Sequence, residues 1–222
     1  MSDQLKAKLV QYVGSDEMVA NAARVSTDSD NEDRPIAGLI RYLAENKHLS
    51  PFEHNSITFM IEAPLFVRDQ WVRHRTQSYN SLSLRYTKID TNGPLDKAFY
   101  IPTGKRPLVN EGSKSHPLLV TSPEGHLYNE MLDSYLNALH MSSVSYEKMV
   151  REGVAEEVAR MVLPEATMTR FYATANLRNW EAFVKERIAE NAQWEIKLLA
   201  YDIDDILYEL FPIAWTELRK RQ

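Results

Sequence analysis

Cysteine is absent from the 222-residue chain. Without a thiol there can be no disulfide framework, no thiolate metal site and no cysteine nucleophile. Glycine and proline number only 7 and 10, so no extended linker is expected. No apolar run approaches the roughly 20 residues that span a bilayer, and the first residues lack the apolar core of a signal peptide. We therefore expect a soluble, cytoplasmic protein that does not contact a membrane.

The order of the predicted elements indicates an α+β fold. Hydrophobic residues make up 44% of the chain, which is enough for a sizeable core. Their spacing predicts strands at 9–13, 56–62, 84–87, 98–101 and 167–174, and helices at 15–24, 35–47, 65–75, 126–151, 156–162, 178–190, 193–210 and after Pro212. Polar loops are expected at 27–34 and 76–83, and an exposed excursion at 103–124. We predict a single domain over residues 1–222, with a small mixed or antiparallel sheet packed against long helices.

Positive charge is concentrated in one short segment of an otherwise acidic chain. The formal net charge is −5, so a general affinity for nucleic acid is not expected. Between residues 68 and 88, however, the only acid is Asp69, against His74 and the cations Arg68, Arg73, Arg75, Arg85 and Lys88. This imbalance indicates an anion-binding site, and the alternative is a solvated basic face.

The predicted helix over 65–75 carries arginines among apolar residues that point nearly all round it, which is typical of a buried helix. Helical spacing places Gln70 with Arg73 on one side, and Arg68 with Arg75 on another. A buried guanidinium needs a fixed anionic partner. That partner is either an internal carboxylate or a ligand phosphate bound by the arginine fork.

Arg187 lies within an apolar stripe of the predicted helix over 178–190. An arginine in the middle of a core-facing stripe is unusual. It either pairs with a carboxylate of the following helix, such as Glu195, or lines a partly dry pocket and faces a ligand whose charge develops during a reaction.

Two familiar kinds of site are not expected. No GxGxxG or GxxxxGK[ST] pattern occurs, so any dinucleotide is bound in another way. His48 and His54 flank Ser50-Pro51-Phe52-Glu53, but HExxH is absent and Pro51 breaks any helix that would align the ligands. We therefore expect no metal site.

The sequence Arg73-His74-Arg75, followed by Ser83 and Arg85-Tyr86, resembles the signature of flavin-dependent thymidylate synthases. Segments at 22–26, 48–54, 63–71, 159–164, 169–171, 176–178 and 192–195 resemble other blocks of the same family. The resemblance spans about residues 20–200 and so covers most of the chain.

The resemblance implies reductive methylation of dUMP to dTMP. Methylenetetrahydrofolate would give the carbon, and FAD would carry hydride from NADPH. The family forms homotetramers whose active sites are shared between subunits. It activates the uracil ring without a protein nucleophile, which agrees with the missing cysteine.

Site residues follow from the resemblance by motif position. FAD would be bound by Ser50, Arg73, His74, Arg75, Ser81, Asn176 and Arg178. The nucleotide would be bound by Gln70, Arg73, Ser81, Ser83, Arg85, Arg160 and Arg187. Arg187 would polarise the uracil, and His48 would border the folate and flavin face. These two are the predicted catalytic residues.

Two positions depart from the family pattern. Ser81 stands where the family often has a glutamate that touches both nucleotide and flavin, so only backbone contacts are secure there. Ala182 replaces an amide-bearing residue near the flavin. They leave open a second hypothesis, a catalytically impaired flavin- and nucleotide-binding relative. A third, an RNA-binding module built on 73–88, is disfavoured by the net charge of −5.

Overall fold

The computed structural model of the chain describes residues 4–27, 35–91, 93–114, 117, 119–121 and 125–220. Its strands are β1 (Lys6–Val13), β2 (Ser56–Pro64), β3 (Ser78–Ser81), β4 (Val109–Asn110), β5 (Leu119–Val120) and β6 (Met168–Ala175). Its α-helices are α1 (Asp16–Arg24), α2 (Ile36–Glu45), α3 (Leu65–Trp71), α4 (Leu95–Ala98), α5 (Gly125–Arg151), α6 (Glu156–Ala159), α7 (Leu177–Arg187), α8 (Trp194–Leu210) and α9 (Ala214–Lys220). Short 3-10 turns occupy Val25–Thr27, Ser50–Glu53 and Arg160–Val162.

Four antiparallel strands form the main sheet, in the order β1-β2-β6-β3. Alternate residues of β2 and β6 point into the core, among them the buried Phe59, Ile61 and Phe171. On the opposite face Met60 pairs with Tyr172, and Tyr172 remains 45% exposed. The small antiparallel sheet with long helices confirms the predicted α+β class. The extent of the domain over 1–222 stays a prediction.

Aromatic residues connect α3, α7 and the sheet into one core. Trp71 of α3 stacks on Phe183 of α7 with ring centroids 4.4 Å apart. Trp180 lies edge-on to Phe59 of β2 at 5.0 Å. All four side chains are fully buried, so the end of α3 and the last turn of α7 are held against each other.

Local capping explains where several predicted elements begin. Ser15 accepts a hydrogen bond from the Met18 N–H at 3.2 Å and caps α1 as its sequence predicts. The predicted strands at 9–13, 56–62 and 167–174 and the remaining long helices are confirmed to within a few residues. Of the predicted loop at 27–34, all but residue 27 lies outside the described residues.

The predicted helix over 65–75 is wrong in its second half, because α3 ends at Trp71. The Tyr79 hydroxyl contacts the backbone carbonyls of Trp71 at 3.1 Å and His74 at 2.8 Å. It thereby satisfies carbonyl groups that a continuing helix would have used. Arg73 and Arg75 consequently lie on a turn, and the expected pairing of Arg68 with Arg75 through helical spacing does not occur.

Three further expectations near this turn are also wrong. Residues 78–81, predicted to be irregular, form β3 by pairing with β6. Residues 84–86, predicted to begin a strand, form a turn in which the Tyr86 N–H donates to the Ser83 carbonyl at 3.3 Å. At 98–101 the chain leaves α4 and makes only an isolated bridge between Phe99 and Thr167. Pairing with a distant strand explains β3, and the lack of such pairing beyond one bridge explains the other two segments.

Among the described residues, no helix is long and apolar enough to cross a membrane.

Asp16 joins the two ends of the domain. Its carboxylate is 6% exposed and accepts hydrogen bonds from the backbone N–H groups of Ile213 at 2.9 Å and Ala214 at 2.8 Å, where α9 begins.

We predict that Asp16→Ala lowers the free energy of unfolding by about 2–3 kcal/mol in urea denaturation, because both backbone donors lose a charged acceptor. The neighbouring exposed Glu17→Ala is the control and should change it little. Equal losses in the two variants would contradict this role of Asp16.

Candidate functional site

Arg187 ends α7 and lies against the turn that follows α3. Its Nε donates a hydrogen bond to Nε2 of His74 at 2.8 Å, and its Nη2 lies 3.5 Å from the backbone carbonyl of Gln70. The side chains of Arg187 and His74 are 16% and 10% exposed. The nearest carboxylate, at 3.3 Å, belongs to Glu186, whose side chain is 61% exposed. A carboxylate in solvent compensates a guanidinium only weakly.

His74 is neutral in this arrangement. Its Nε2 accepts a hydrogen bond from Nε of Arg187, so the ring proton is on Nδ1, which lies 3.9 Å from Glu186. Burial lowers the pKa of His74, the charge of Arg187 lowers it further, and Glu186 opposes them in part. Arg187 therefore keeps its full positive charge beside an uncharged partner.

A chain of polar side chains leads away from Gln70. The Gln70 amide N–H donates to the side-chain oxygen of Gln193. Gln193 Nε2 in turn donates to Glu195 at 3.2 Å. Glu195 is bound at 2.8 Å by Nε of Arg106, from the 103–124 segment. The pairing of Arg187 with Glu195, one of the two alternatives raised by the sequence, is therefore wrong.

Two cavities lie on either side of the Gln70–Gln193 contact. The one next to Arg187 has a volume of about 640 Å³, and its lining includes Gln70, Arg187, Gln193, Arg106, Pro107 and Leu119. The other, of about 550 Å³, is lined by apolar and aromatic side chains such as Phe66 and Met131 and equally by polar ones such as Arg106 and Glu195. Both volumes are in the range of small-molecule sites.

Ser83, Arg85 and Arg160 form a second group around Glu157 of α6. Arg85 makes an ion pair with the Glu157 carboxylate at 2.8 Å, and Arg160 Nε lies 3.4 Å from its backbone carbonyl. Ser83 Oγ accepts from the Arg85 N–H at 3.4 Å. Arg85 and Glu157 are each 50% exposed, so solvent-facing donors remain for an anion.

A third group surrounds the start of α7. Asn176 caps the helix by accepting from the Asn179 N–H at 3.0 Å. Arg178 makes an ion pair with Glu53 of the 3-10 turn that Ser50 begins. Asn179 Nδ2 donates to the Thr76 carbonyl at 3.2 Å, which ties α7 to the turn carrying Arg73 and Arg75.

The remaining predicted residues lie at the margins of these groups. Arg73 and Arg75 are exposed, and neither side chain makes a hydrogen bond or ion pair within the described part of the chain. Ser81 is half-buried and accepts from Nε of Arg68 at 3.0 Å. His48 is exposed and lies edge-on to Tyr42 at 5.9 Å. Across the described residues no cluster of three His, Asp or Glu is placed to bind a metal ion.

Sequence reasoning missed the roles of Arg106 and Gln193. Arg106 lies in the segment predicted to be an exposed excursion, yet its side chain is only 19% exposed. The available signal in the sequence was the glutamate at 195 between Trp194 and Ile196, because a carboxylate in an apolar stretch needs a cation.

The chain is similar to known proteins over most of its length. Residues 8–213 match the family model described as Thymidylate synthase complementing protein. The chain is 38% identical to the flavin-dependent thymidylate synthase of Thermosipho melanesiensis, over 94% of this chain and 87% of that protein. It is 37% identical to that of Thermus thermophilus, over 94% and 73%. It also resembles the solved structure of the UMP/dUMP methylase PolB from Streptomyces cacaoi, with a TM-score of 0.87, 32% identity, and 97% and 95% of the two chains covered.

The neutral state of His74 can be measured directly. We predict that His74 titrates below its ordinary value of about 6.5 in a histidine NMR titration, and that Arg187→Met raises this pKa by removing the adjacent cation. Because the pKa of His74 is lower in the folded than in the unfolded protein, neutral His74 favours the folded state. This stabilisation is present above about pH 6.5 and is lost as the pH falls through the folded-state pKa. Titration at or above 6.5, or no response to Arg187→Met, would contradict the assignment.

Proposed function

The chain belongs to the flavin-dependent thymidylate synthase family, and from this membership we propose that it catalyses the reductive methylation of dUMP to dTMP. The carbon comes from methylenetetrahydrofolate. Reducing equivalents come from NADPH through FAD. In sum, dUMP, methylenetetrahydrofolate, NADPH and a proton give dTMP, tetrahydrofolate and NADP⁺. The absence of cysteine requires that the ring be activated without a thiolate.

The observation that carries this proposal is the cation of Arg187 held against neutral His74 beside a cavity of about 640 Å³. A guanidinium at N3 and a neighbouring carbonyl of the uracil stabilises the negative charge that develops as the ring is reduced. Its orientation is set in advance, because Nε is occupied by His74 while Nη2 lies next to the Gln70 carbonyl. The buried surroundings strengthen the interaction by excluding water.

The residues near the start of α7 fit an anionic dinucleotide such as FAD, whose isoalloxazine supplies the hydride chemistry. Arg73 and Arg75 are exposed on a turn that the Asn179–Thr76 hydrogen bond ties to α7. Their guanidinium groups are available for a pyrophosphate, and Arg178 adds a third cation at the helix start. Ser50 and Asn176 line the same region, and His74 joins it to Arg187. We assign these residues to FAD.

The group formed by Ser83, Arg85 and Arg160 suits the phosphate of dUMP. The carboxylate of Glu157 orients Arg85, its backbone carbonyl lies near Arg160, and the hydroxyl of Ser83 lies next to the Arg85 backbone. A phosphate dianion competes well for such exposed arginines. Gln70 and Arg73, near Arg187, are assigned to the remainder of the nucleotide. His48, exposed at the end of α2, is assigned to the border of the folate and flavin face.

The same assignments lead us to propose a homotetramer with shared active sites. Within the described residues, no hydrogen bond or ion pair joins the group around Glu157 to the group around Arg187. The outer face of the sheet also presents the partly exposed Met60 and Tyr172. A second copy packed on this face would cover it, and would let Arg85 of one subunit and Arg187 of another bind the same nucleotide.

The catalytically impaired alternative rests on Ser81 and Ala182. Neither residue contacts the Arg187–His74 pair. Ser81 accepts a hydrogen bond from Arg68, and Ala182 is exposed on α7. The active enzyme is therefore the function that we propose.

Turnover by the purified protein tests this function. We expect a visible flavin spectrum, and dTMP formation when dUMP, methylenetetrahydrofolate, FAD and NADPH are supplied. UMP should be assayed in parallel, since the similar Streptomyces cacaoi protein is described as a UMP/dUMP methylase. Arg187→Ala should lower turnover by about 10²–10³-fold with flavin still bound, because the developing charge loses its partner.

Lys185→Ala is the matched control, since it removes an exposed cation from the same helix. Normal turnover in Arg187→Ala would remove Arg187 from the mechanism. A wild-type protein that binds flavin and dUMP but forms no dTMP would instead favour the impaired relative.

Mixed tetramers test the shared site. We predict that Arg187→Ala and Arg85→Ala are each nearly inactive alone, whereas co-expressed subunits recover activity. For random assembly with each site built by two subunits, about a quarter of the sites would be intact. Co-expression of Arg187→Ala with wild-type subunits at the same ratio is the control, and its activity shows how much one inactive subunit type lowers the activity of a mixed tetramer. No recovery in an assembled mixture would indicate that each site is built by one chain.

A further inference from the structure

Arg106 and Glu195 form a buried ion pair that the proposed function does not use. Arg106 Nε lies 2.8 Å from Oε1 of Glu195, and its Nη2 lies 3.4 Å from Oε2, so both carboxylate oxygens are engaged. The side chain of Glu195 is 1% exposed and that of Arg106 is 19% exposed. A bidentate pair of this kind constrains the relative position of the two backbones. Here it joins the 103–124 segment to the first turn of α8.

Glu195 also sets the orientation of two amides. Its Oε2 accepts from Nε2 of Gln193, so the amide nitrogen of Gln193 is turned towards the carboxylate. The oxygen of Gln193 is thereby turned towards Gln70 and accepts from its Nε2. The carboxylate thus determines, through one intervening amide, which atoms Gln70 offers to the cavity.

The same ion pair holds one wall of the cavity beside Arg187. Arg106, Pro107 and Leu119 line this cavity from the 103–124 segment, opposite Gln70 and Arg187. Arg106 also donates to the Pro107 carbonyl at 2.5 Å, which fixes the start of that wall. Removal of the Glu195 carboxylate would leave the guanidinium of Arg106 without its charged partner. The wall formed by the 103–124 segment would then lose its attachment to α8.

We propose that Arg106 and Glu195 are positioning residues for the nucleotide. Their ion pair holds the 103–110 stretch as a wall of the Arg187 cavity and, through Gln193, orients the amide of Gln70. This inference rests on the proposed function only in naming dUMP as the nucleotide. Neither Arg106 nor Glu195 touches the reacting atoms, and both act through Gln70 and the cavity wall.

The test compares three variants along the chain of contacts with one matched control. Glu195→Gln keeps the shape and removes the charge, Arg106→Lys keeps the charge and removes the fork, and Gln193→Met removes the linking amide. Asp204→Asn is the control. It lies on the same helix and breaks a second largely buried ion pair, with Arg219 at 3.1 Å, outside both cavities beside Gln70.

Each variant is characterised by its melting temperature, the kcat and KM for dUMP, and the dissociation constant of dUMP from the flavin-loaded protein. We expect Glu195→Gln and Gln193→Met to raise the KM and the dissociation constant by about tenfold or more, with kcat changed far less. Arg106→Lys should fall between these and wild type. Asp204→Asn should lower the melting temperature and leave the KM unchanged.

A Glu195→Gln variant that loses thermal stability as Asp204→Asn does, with normal KM and dissociation constant, would show that the pair is only structural and would overturn the proposal. If Glu195→Gln does not fold, a normal KM in Gln193→Met overturns it equally. The dissociation constant of dUMP distinguishes failure of the positioning proposal from failure of the proposed function. A wild-type protein that binds dUMP but makes no dTMP contradicts the function, while the change in dUMP affinity still tests the positioning.

Discussion

The hydrogen bond from Arg187 to His74 is the constraint on which the candidate site depends. It joins the last turn of α7 to the turn that follows α3, and it requires His74 to be neutral. The Trp71–Phe183 ring contact beneath it keeps the two elements in place, and Nε1 of Trp71 also donates a hydrogen bond to Gln77 at 3.0 Å. The core therefore determines the position of a cation that, among the described residues, pairs with no buried carboxylate. Such a cation is suited to a ligand that becomes more negative during the reaction.

The arrangement also separates the two roles that we propose for adjacent residues of one motif. Arg73 and Arg75 face solvent on either side of His74, which is largely buried and turned towards Arg187. The alternation arises because α3 ends at Trp71, after which the chain turns instead of continuing as a helix. One short stretch can thus offer cations to a dinucleotide while its central residue supports the guanidinium beside the pyrimidine.

Elements governed by local chemistry could be predicted from the sequence, and those governed by distant partners could not. Ser15 predicts the start of α1, because its hydroxyl caps the helix by accepting a hydrogen bond from the Met18 N–H. The end of α3 depends on the hydroxyl of Tyr79, and β3 depends on pairing with β6, which no local pattern contains. Among the site residues, Arg187 was indicated by its place in an apolar stripe, and of its two alternatives the pairing with Glu195 is wrong, because its hydrogen-bond partner is His74. The role of Arg106 was hidden because its carboxylate partner lies on a helix far along the chain.

The central claim is that Arg187 presents to the pyrimidine ring a positive charge that the exposed carboxylate of Glu186 offsets only weakly. A direct measurement is the N3–H pKa of bound 5-fluoro-2′-deoxyuridylate, followed by ¹⁹F NMR over a pH titration with the flavin-loaded protein. A guanidinium at N3 and its carbonyl stabilises the deprotonated ring, so this pKa should fall below that of the free nucleotide in wild-type protein and return towards it in Arg187→Met. A bound nucleotide with the same N3–H pKa as in solution, in wild type and variant alike, would contradict the account.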